Sequence, residues 1–514
     1  MTVINSLSRK QTVFGAILSY GLIILNALYG IVLMPYIIGQ IGKADYGVYK
    51  TISAFTSALM VLDLGTGNTA MRYIAKYLTE KKEDKISGFI KALLLQGAVL
   101  AGVVTIISIF VYLSINQIYK NGLSTAEISR AKQLFIILGI TVVLHIFENI
   151  LNGIITGYNR FIFANGCKFF RLIIRIAATY FLLIFIHNSL VLVTIDMCLV
   201  LLLILLEIYY IKSVLKIKLS NSKIEKKVLS DSLGYTAAIF TASVVSQIQS
   251  NLDNVIIGAI KSSIEVTIYS VALQLFNIYQ QISSSISGVM LPTVINVLEN
   301  DDAKLSQTQR LLIKIGRIQF TLLGAAFAGF CVLGKEFISL LMHAKGYEDV
   351  YYLSIILMFP AIFELCTNVC LSILRAKKIL KFYIIMLITS MIINAVISVI
   401  GTYFYNYYAA AWGTAISIII GNIIMMNVFY RHRFGFNMIG IYCRIFSRIW
   451  VCIILSSFAA YIAKLPFSGL LSFLTGGVAF VMVYSLSLIL FGLKSDEKKM
   501  LFKKIHKKNG DATC

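Results

Sequence analysis

Apolar runs of about twenty residues recur from one end of this chain to the other, each long enough to cross the roughly 30 Å hydrocarbon core of a bilayer as a helix. They lie near 12–38, 46–71, 88–113, 134–157, 162–186, 189–211, 233–260, 266–297, 311–333, 350–374, 380–402, 407–430, 445–463 and 468–492. A backbone in hydrocarbon must satisfy its own hydrogen bonds, so runs of this length fold as helices; a β-barrel shows short alternating segments instead. The expected fold class is all-α, a polytopic membrane protein of about 14 transmembrane helices. Charged residues are only 13% of the 514 positions against 58% hydrophobic, too few for a soluble chain of this length. Four prolines occur (Pro35, Pro292, Pro360, Pro466), so most helices should be continuous. The first run lacks a small-residue cleavage signature and reads as the first span, not a removed signal peptide.

A net charge of +23 raises the question of nucleic acid. The distribution answers it. The connections alternate between basic-rich and basic-poor. The poor set is Lys43, Lys50, Lys120, Arg130, Lys132, Lys261, Lys335, Lys345 and Lys464. Arg171 and Arg175 belong to neither set, and the remaining 35 of 46 basic residues fall on the other side. The positive-inside rule makes the rich side cytoplasmic, with both termini there and an even number of spans. The high charge then reflects topology and contact with anionic lipid headgroups at the cytoplasmic face, with no nucleic acid partner. The eight cysteines sit mostly in or beside apolar runs, form no CxxC pair, and read as small buried residues.

Two segments repeat. VLMPYIIGQIGKADYGVY (Val32 to Tyr49) ends the first span and opens the second; LDNVIIGAIKSSIEVTIY (Leu252 to Tyr269) ends the seventh and opens the eighth. Each holds Ile-Ile-Gly followed by a tyrosine ten or eleven residues on. Six spans separate them, an even number, so the halves share orientation and relate by an axis along the membrane normal. The expected organisation is two pseudo-symmetric six-helix lobes, 1–220 and 221–435, then two extra spans over 436–493 and a basic cytoplasmic tail, 494–514.

IGKADYGVY (Ile41 to Tyr49), LDLGTGNTAMRYIAKY (Leu62 to Tyr77) and QSNLDNVIIG (Gln249 to Gly258) resemble the polysaccharide-biosynthesis flippases, the Wzx-type exporters of the superfamily that includes the MATE drug exporters. Gly42 to Gly47 stand where that family usually has Gly-Pro-Glu-Glu-Tyr-Gly, with Lys43 in place of the proline, and Asp63 to Gly67 for its Asp-Leu-Gly-Leu-Gly. The likeness extends over nearly the whole chain in span count and layout. It implies a two-lobed transporter of the bacterial inner membrane. Such a protein moves polyprenyl-diphosphate-linked glycan between leaflets by alternating access, for O-antigen or capsule assembly, with a polysaccharide polymerase as a further partner.

Ionisable groups at membrane depth cost roughly 3 kcal/mol each and usually face a cavity or one another. Arg171 and Arg175 are four apart on one face of the fifth span. Three readings stand: snorkelling to the headgroups, an ion pair with a nearby acid, or a cationic cavity wall whose guanidinium forks suit a diphosphate. Gln247 and Asn251 in the seventh span, and Gln274 and Asn277 in the eighth, suit sugar hydroxyls and helix–helix hydrogen bonds equally. With the two arginines they make the expected substrate-binding set. Candidate coupling-ion or gating residues are Asp63, Glu148, Asp253 and Glu364, for Na+ or H+. Asp63 and Asp253 also fit plain structural hydrogen bonding. His145 lies three before Glu148 on one helix face; Asp196 and Glu207 share the sixth span, Glu207 close enough to the cytoplasmic side to be interfacial.

The expected function is a flippase that makes and breaks no bond. The alternatives are a lipid II flippase and a MATE-like exporter of cations, which Arg171 and Arg175 oppose. An enzyme needs a sizeable aqueous loop with paired carboxylates or a metal site. The longest external connection, about Ser114 to Gln133, holds one acid, Glu127. There is no phosphate-binding P-loop to couple ATP, and no cofactor is expected beyond a coupling ion.

Overall fold

A computed structural model describes residues 28–63, 65–80, 82–217, 226–299, 305–342, 346–376 and 379–494, with positions 14, 18, 21, 22, 25 and 26 before them. Expectations about the start of the first span, the basic connections over 218–225 and 300–304, and the tail beyond 494 lie outside the described residues. Every described element is helical. We label them α1 (Met34–Ile41, entered through a π turn at Tyr29–Leu33), α2 (Lys43–Met60), α3 (Thr66–Thr79), α4 (Glu83–Tyr119), α5 (Thr125–Gly157) and α6 (Phe161–Phe185). Next come α7 (Ser189–Ser213), α8 (Lys226–Ile260), α9 (Ser263–Glu299), α10 (Leu305–Met342), α11 (Glu348–Cys366) and α12 (Val369–Ala376). The last are α13 (Lys381–Phe404), α14 (Tyr408–Ser417), α15 (Met426–Phe434), α16 (Met438–Phe446), α17 (Ile449–Lys464) and α18 (Gly469–Ser487). Eight described helices are long and apolar enough to cross a membrane, and α16 with α17, bent by 42°, makes a ninth. Where the apolar runs are described they are mostly helix, and the protein is an all-α, multi-pass membrane protein.

Helices break where no proline stands. Between α2 and α3 the chain passes through a 3-10 turn, Val61–Asp63, and then Gly65 at φ 64°, a left-handed conformation that glycine adopts without steric cost. Asp63 braces the break: its carboxylate accepts from the Thr66 hydroxyl and from Asn149 Nδ2 at 3.2 Å.

The molecule divides into two compact units, Met1–Ser270 with Met391–Ala410, and Val271–Ser390 with Ala411–Cys514. In the first, α5 is the hub and packs against α2, α3, α4, α6 and α7. Its start is fixed by a capping box between Ser124 and Glu127. Glycines let α3 and α5 touch backbone to backbone: a Cβ on Gly153 would stand 2.3 Å from the Gly67 carbonyl oxygen. At one end of this unit four turns lock together. Thr267 Oγ1 donates to the Lys43 carbonyl at 2.6 Å, Ser189 Oγ to Asp45 at 2.9 Å, and Ser263 to Glu127. Gly122 lies so close to Gly258 that a Cβ would sit 2.1 Å from its carbonyl oxygen. Toward the other end Tyr77, Ile86, Tyr158, Ile211 and Ile217 share one apolar cluster. These two ends correspond to the basic-poor and basic-rich connections.

Both repeat segments fold as helix, tight turn, helix. Gly42 N donates to Ile38 O at 2.9 Å, and Lys261 N to Ile257 O at 2.8 Å. The donors stand four residues after the second isoleucine of each Ile-Ile-Gly.

In the second unit α10 is the hub. It packs against α11, α16, α17 and α18. Arg317, 2% exposed, donates Nη1 to the Ser447 carbonyl at 3.1 Å and Nη2 to the Gly492 carbonyl at 2.8 Å. Fifteen and nineteen residues further along α10, the Val332 carbonyl and Glu336 receive Lys464 Nζ at 2.5 and 2.9 Å. The final helices are thus fastened to α10 near both of its ends.

Candidate functional site

Three helices of the first unit carry polar stripes inside otherwise apolar sequence. On α5, His145, Glu148, Asn149 and Asn152 recur at spacings of three, one and three, which is one helix face. On α6, Lys168, Arg171 and Arg175 recur at three and four. On α7, Asp196 and Glu207 are three turns apart. The stripes face one another.

Arg175 Nη2 pairs with Asp196 Oδ2 at 2.8 Å, and its guanidinium stands 5.0 Å from the centre of the Tyr29 ring. Arg171 Nη2 lies 3.3 Å from His145 Nε2, and His145 Nδ1 lies 3.3 Å from Glu148 Oε2. A guanidinium has no acceptor, so His145 Nε2 must accept; Nδ1 then carries the proton and donates to Glu148. The network therefore assigns His145 as a neutral ring linking arginine to carboxylate. Two turns on, Asn152 plays the same part with its amide. Its Oδ1 accepts from Lys168 Nζ at 3.0 Å, and its Nδ2 donates to Glu207 Oε1 at 3.0 Å.

Three cations (Lys168, Arg171, Arg175) thus meet three anions (Glu148, Asp196, Glu207) inside one helix cluster. Pairing is what makes charge tolerable among apolar helices, since an isolated ion in a low dielectric is far costlier than a compensated one. The compensation is incomplete at the atomic level. Glu148 Oε1, Asp196 Oδ1 and Glu207 Oε2 are buried without a hydrogen-bond partner among the described residues. Arg171 makes one side-chain hydrogen bond among the described residues, to an imidazole. Lys168 likewise makes one, to the Asn152 amide.

The expected residues separate into groups. Arg171, Arg175 and Glu148 belong to this cluster, and Asp63 joins it through Asn149. Asp253, buried on α8, accepts from Tyr269 OH at 2.5 Å and Ser398 Oγ at 3.0 Å, apart from the cluster's hydrogen bonds. Gln247 and Asn251 are half-buried on α8, where Asn251 Nδ2 donates to the Gln247 carbonyl at 3.0 Å. Gln274 and Asn277 are half-buried on the part of α9 in the second unit. Glu364, also in the second unit, accepts from Asn422 Nδ2 at 2.5 Å.

Glu207 is 1% exposed and bonded to Asn152, because α5 covers it, so it faces the cluster and not solvent. Sequence reasoning missed Lys168, Asn149 and Asn152 as members of the cluster. The i, i+3, i+7 continuation of the stripes on α5 and α6 was the available signal.

A family model described as polysaccharide biosynthesis protein matches residues 13–297. No curated protein sequence matches the chain. Among solved structures, the lipid II flippase MurJ in an inward closed conformation is similar at TM-score 0.69 and 16% identity, over 96% of this chain and 99% of that one. An inward-facing multidrug resistance MATE family transporter of the MOP superfamily is similar at TM-score 0.61 and 12% identity, over 80% and 94% of the two chains. The MATE multidrug transporter DinF-BH follows at 0.55 and 15%, over 84% and 97%. At these identities the likeness establishes the fold, that of polytopic MurJ and MATE transporters.

Proposed function

Since the chain belongs to the polysaccharide biosynthesis protein family, we propose that it is a flippase. It carries polyprenyl-diphosphate-linked oligosaccharide from the cytoplasmic to the outer leaflet of the bacterial inner membrane by alternating access, for O-antigen or capsule assembly. The observation that carries this reading is Arg171 beside Arg175 in an otherwise apolar stretch of α6, with Arg171 making one side-chain hydrogen bond among the described residues, to an imidazole. Its remaining N–H donors suit the oxygens of a diphosphate headgroup. A neutral relay costs little to release when an anion arrives; a carboxylate partner would compete with it. The lipid tail stays in the bilayer and no bond changes. Gln247, Asn251, Gln274 and Asn277 are the residues we assign to sugar hydroxyls. Glu148, Asp253, Asp63 and Glu364 are those we assign to coupling by Na+ or H+ or to gating. The two lobes, 1–220 and 221–435, would rock about the substrate, with both termini cytoplasmic.

The test is complementation in a bacterial strain lacking its own O-antigen flippase, scored as surface glycan with membrane protein level measured alongside. Wild type restores glycan, Arg171→Ala lowers it at least tenfold at equal protein level, and Arg171→Lys recovers part, since it keeps charge but not the fork. Export by Arg171→Ala equal to wild type overturns the role of Arg171. Rescue of a strain depleted of its lipid II flippase, in place of the first strain, assigns the second reading instead.

A further inference from the structure

The hairpin of α4 and α5 does not close on itself. Thr105, Ser108 and Tyr112 on one side and Phe135, Gly139 and Val143 on the other line a slot of about 520 Å³. The slot leaves open space beside Gly139: a Cβ there would meet only Ser108, at 3.7 Å. The side chains along its rim, Ile109, Ile136 and Ile140, are 56%, 50% and 49% exposed. In a bilayer such a rim faces hydrocarbon. Ser108 Oγ is buried in the slot with no hydrogen-bond partner among the described residues.

One end of the slot carries a charge. Lys132 Nζ stands 5.4 Å from the centre of the Tyr112 ring, about one turn of α5 before Phe135. Its neighbour Arg130 is committed to Asn188 Oδ1 at 2.9 Å and Asp45 at 3.7 Å. Lys132 has no carboxylate within ion-pair distance among the described residues. It lies seven residues, about 10 Å, inside the start of α5, the depth from which a lysine reaches headgroups along its stem.

We propose that the α4–α5 slot is a binding site for an anionic phospholipid, with one acyl chain in the slot and the phosphate on Lys132. Charge selects the headgroup, apolar walls and an outward opening select the chain, and the Ser108 hydroxyl offers a donor to an acyl ester. The site lies in the leaflet that meets the α4–α5 turn and is independent of what the transporter carries.

The test is native mass spectrometry of the full-length protein in detergent, titrated with palmitoyl-oleoyl phosphatidylglycerol and, separately, the matching phosphatidylcholine. Wild type and Gly139→Ala retain phosphatidylglycerol in preference. Lys132→Ala binds it roughly fivefold more weakly and loses the preference. Gly139→Leu, whose side chain fills the slot, loses one bound lipid of either kind. Ser108→Leu fills the same space from α4, so a folding defect in one variant leaves the other to decide; thermal melting identifies such a defect. Equal retention by wild type and the folded filling variants, or unchanged preference in Lys132→Ala, overturns the proposal.

Discussion

Arg175 and Asp196 hold each other at 2.8 Å with side chains 26% and 15% exposed. Removing the cation leaves a carboxylate that already has one oxygen without a partner. Breaking a buried pair on one side costs about 3–5 kcal/mol, more than the pair is worth intact. Arg175→Ala is therefore expected to melt well below wild type in detergent, and Arg175→Ala with Asp196→Asn to regain most of the loss. A double variant no more stable than the single one would mean the pair is not the reason the arginine is tolerated. Export by the rescued variant then reports on the guanidinium itself, free of the folding defect. The two arginines were legible as anomalies, because nothing else between Phe169 and Ile186 is charged. Their partners were not, because which acid of α7 meets which cation of α6 depends on helix rotation and axial offset, and neither is written in local sequence.

At the scale of the element, the apolar runs announced helices well because hydrocarbon leaves the backbone no alternative. Breaks were less legible. Proline scarcity argued for continuous helices, yet α2 and α3 part at Gly65, and α16 and α17 at Arg448 with φ 69°. Close packing did have a signature: Gly153 and Gly157 form a small-xxx-small pair on α5, the pattern that lets helices approach in membranes. A Cβ on Gly157 would stand 2.9 Å from Ile74 Cβ, and one on Gly153 2.3 Å from backbone. Backbone cannot rotate aside as a side chain can, so Gly153→Val must push α3 off α5. A loss of order 1–3 kcal/mol is expected from overpacking, seen as a lower melting temperature; an unshifted melt contradicts the contact. On the other hub, Arg317→Met strips donors from the Ser447 and Gly492 carbonyls while keeping apolar bulk. Faster amide exchange at the end of α18, with α5 unaffected, is the expected result.

For the whole molecule, the alternation of basic connections and the geometry of the first unit are independent observations. The turns at Lys43, Gly122, Ser189 and Ser263 interlock at one end of that unit, and all belong to basic-poor connections. Nothing in the charge count knows about those hydrogen bonds. The two agree in placing these four turns on one side, as alternating spans require. The positive-inside rule then converts ends into compartments. Alkaline phosphatase, active only outside the cytoplasm, is expected to be active when fused after Gly122, Ser262, Asn406 or Pro466, and inactive after Tyr158, Ile217, Gly435 or Lys494. Activity after both Gly122 and Ile217 would break the alternation within the first unit. Activity after Lys494 with inactivity after Pro466 would instead place an error in the later spans alone, where α16 and α17 bend by 42°. The two failures are separable, so the fusion series tests span count and orientation together.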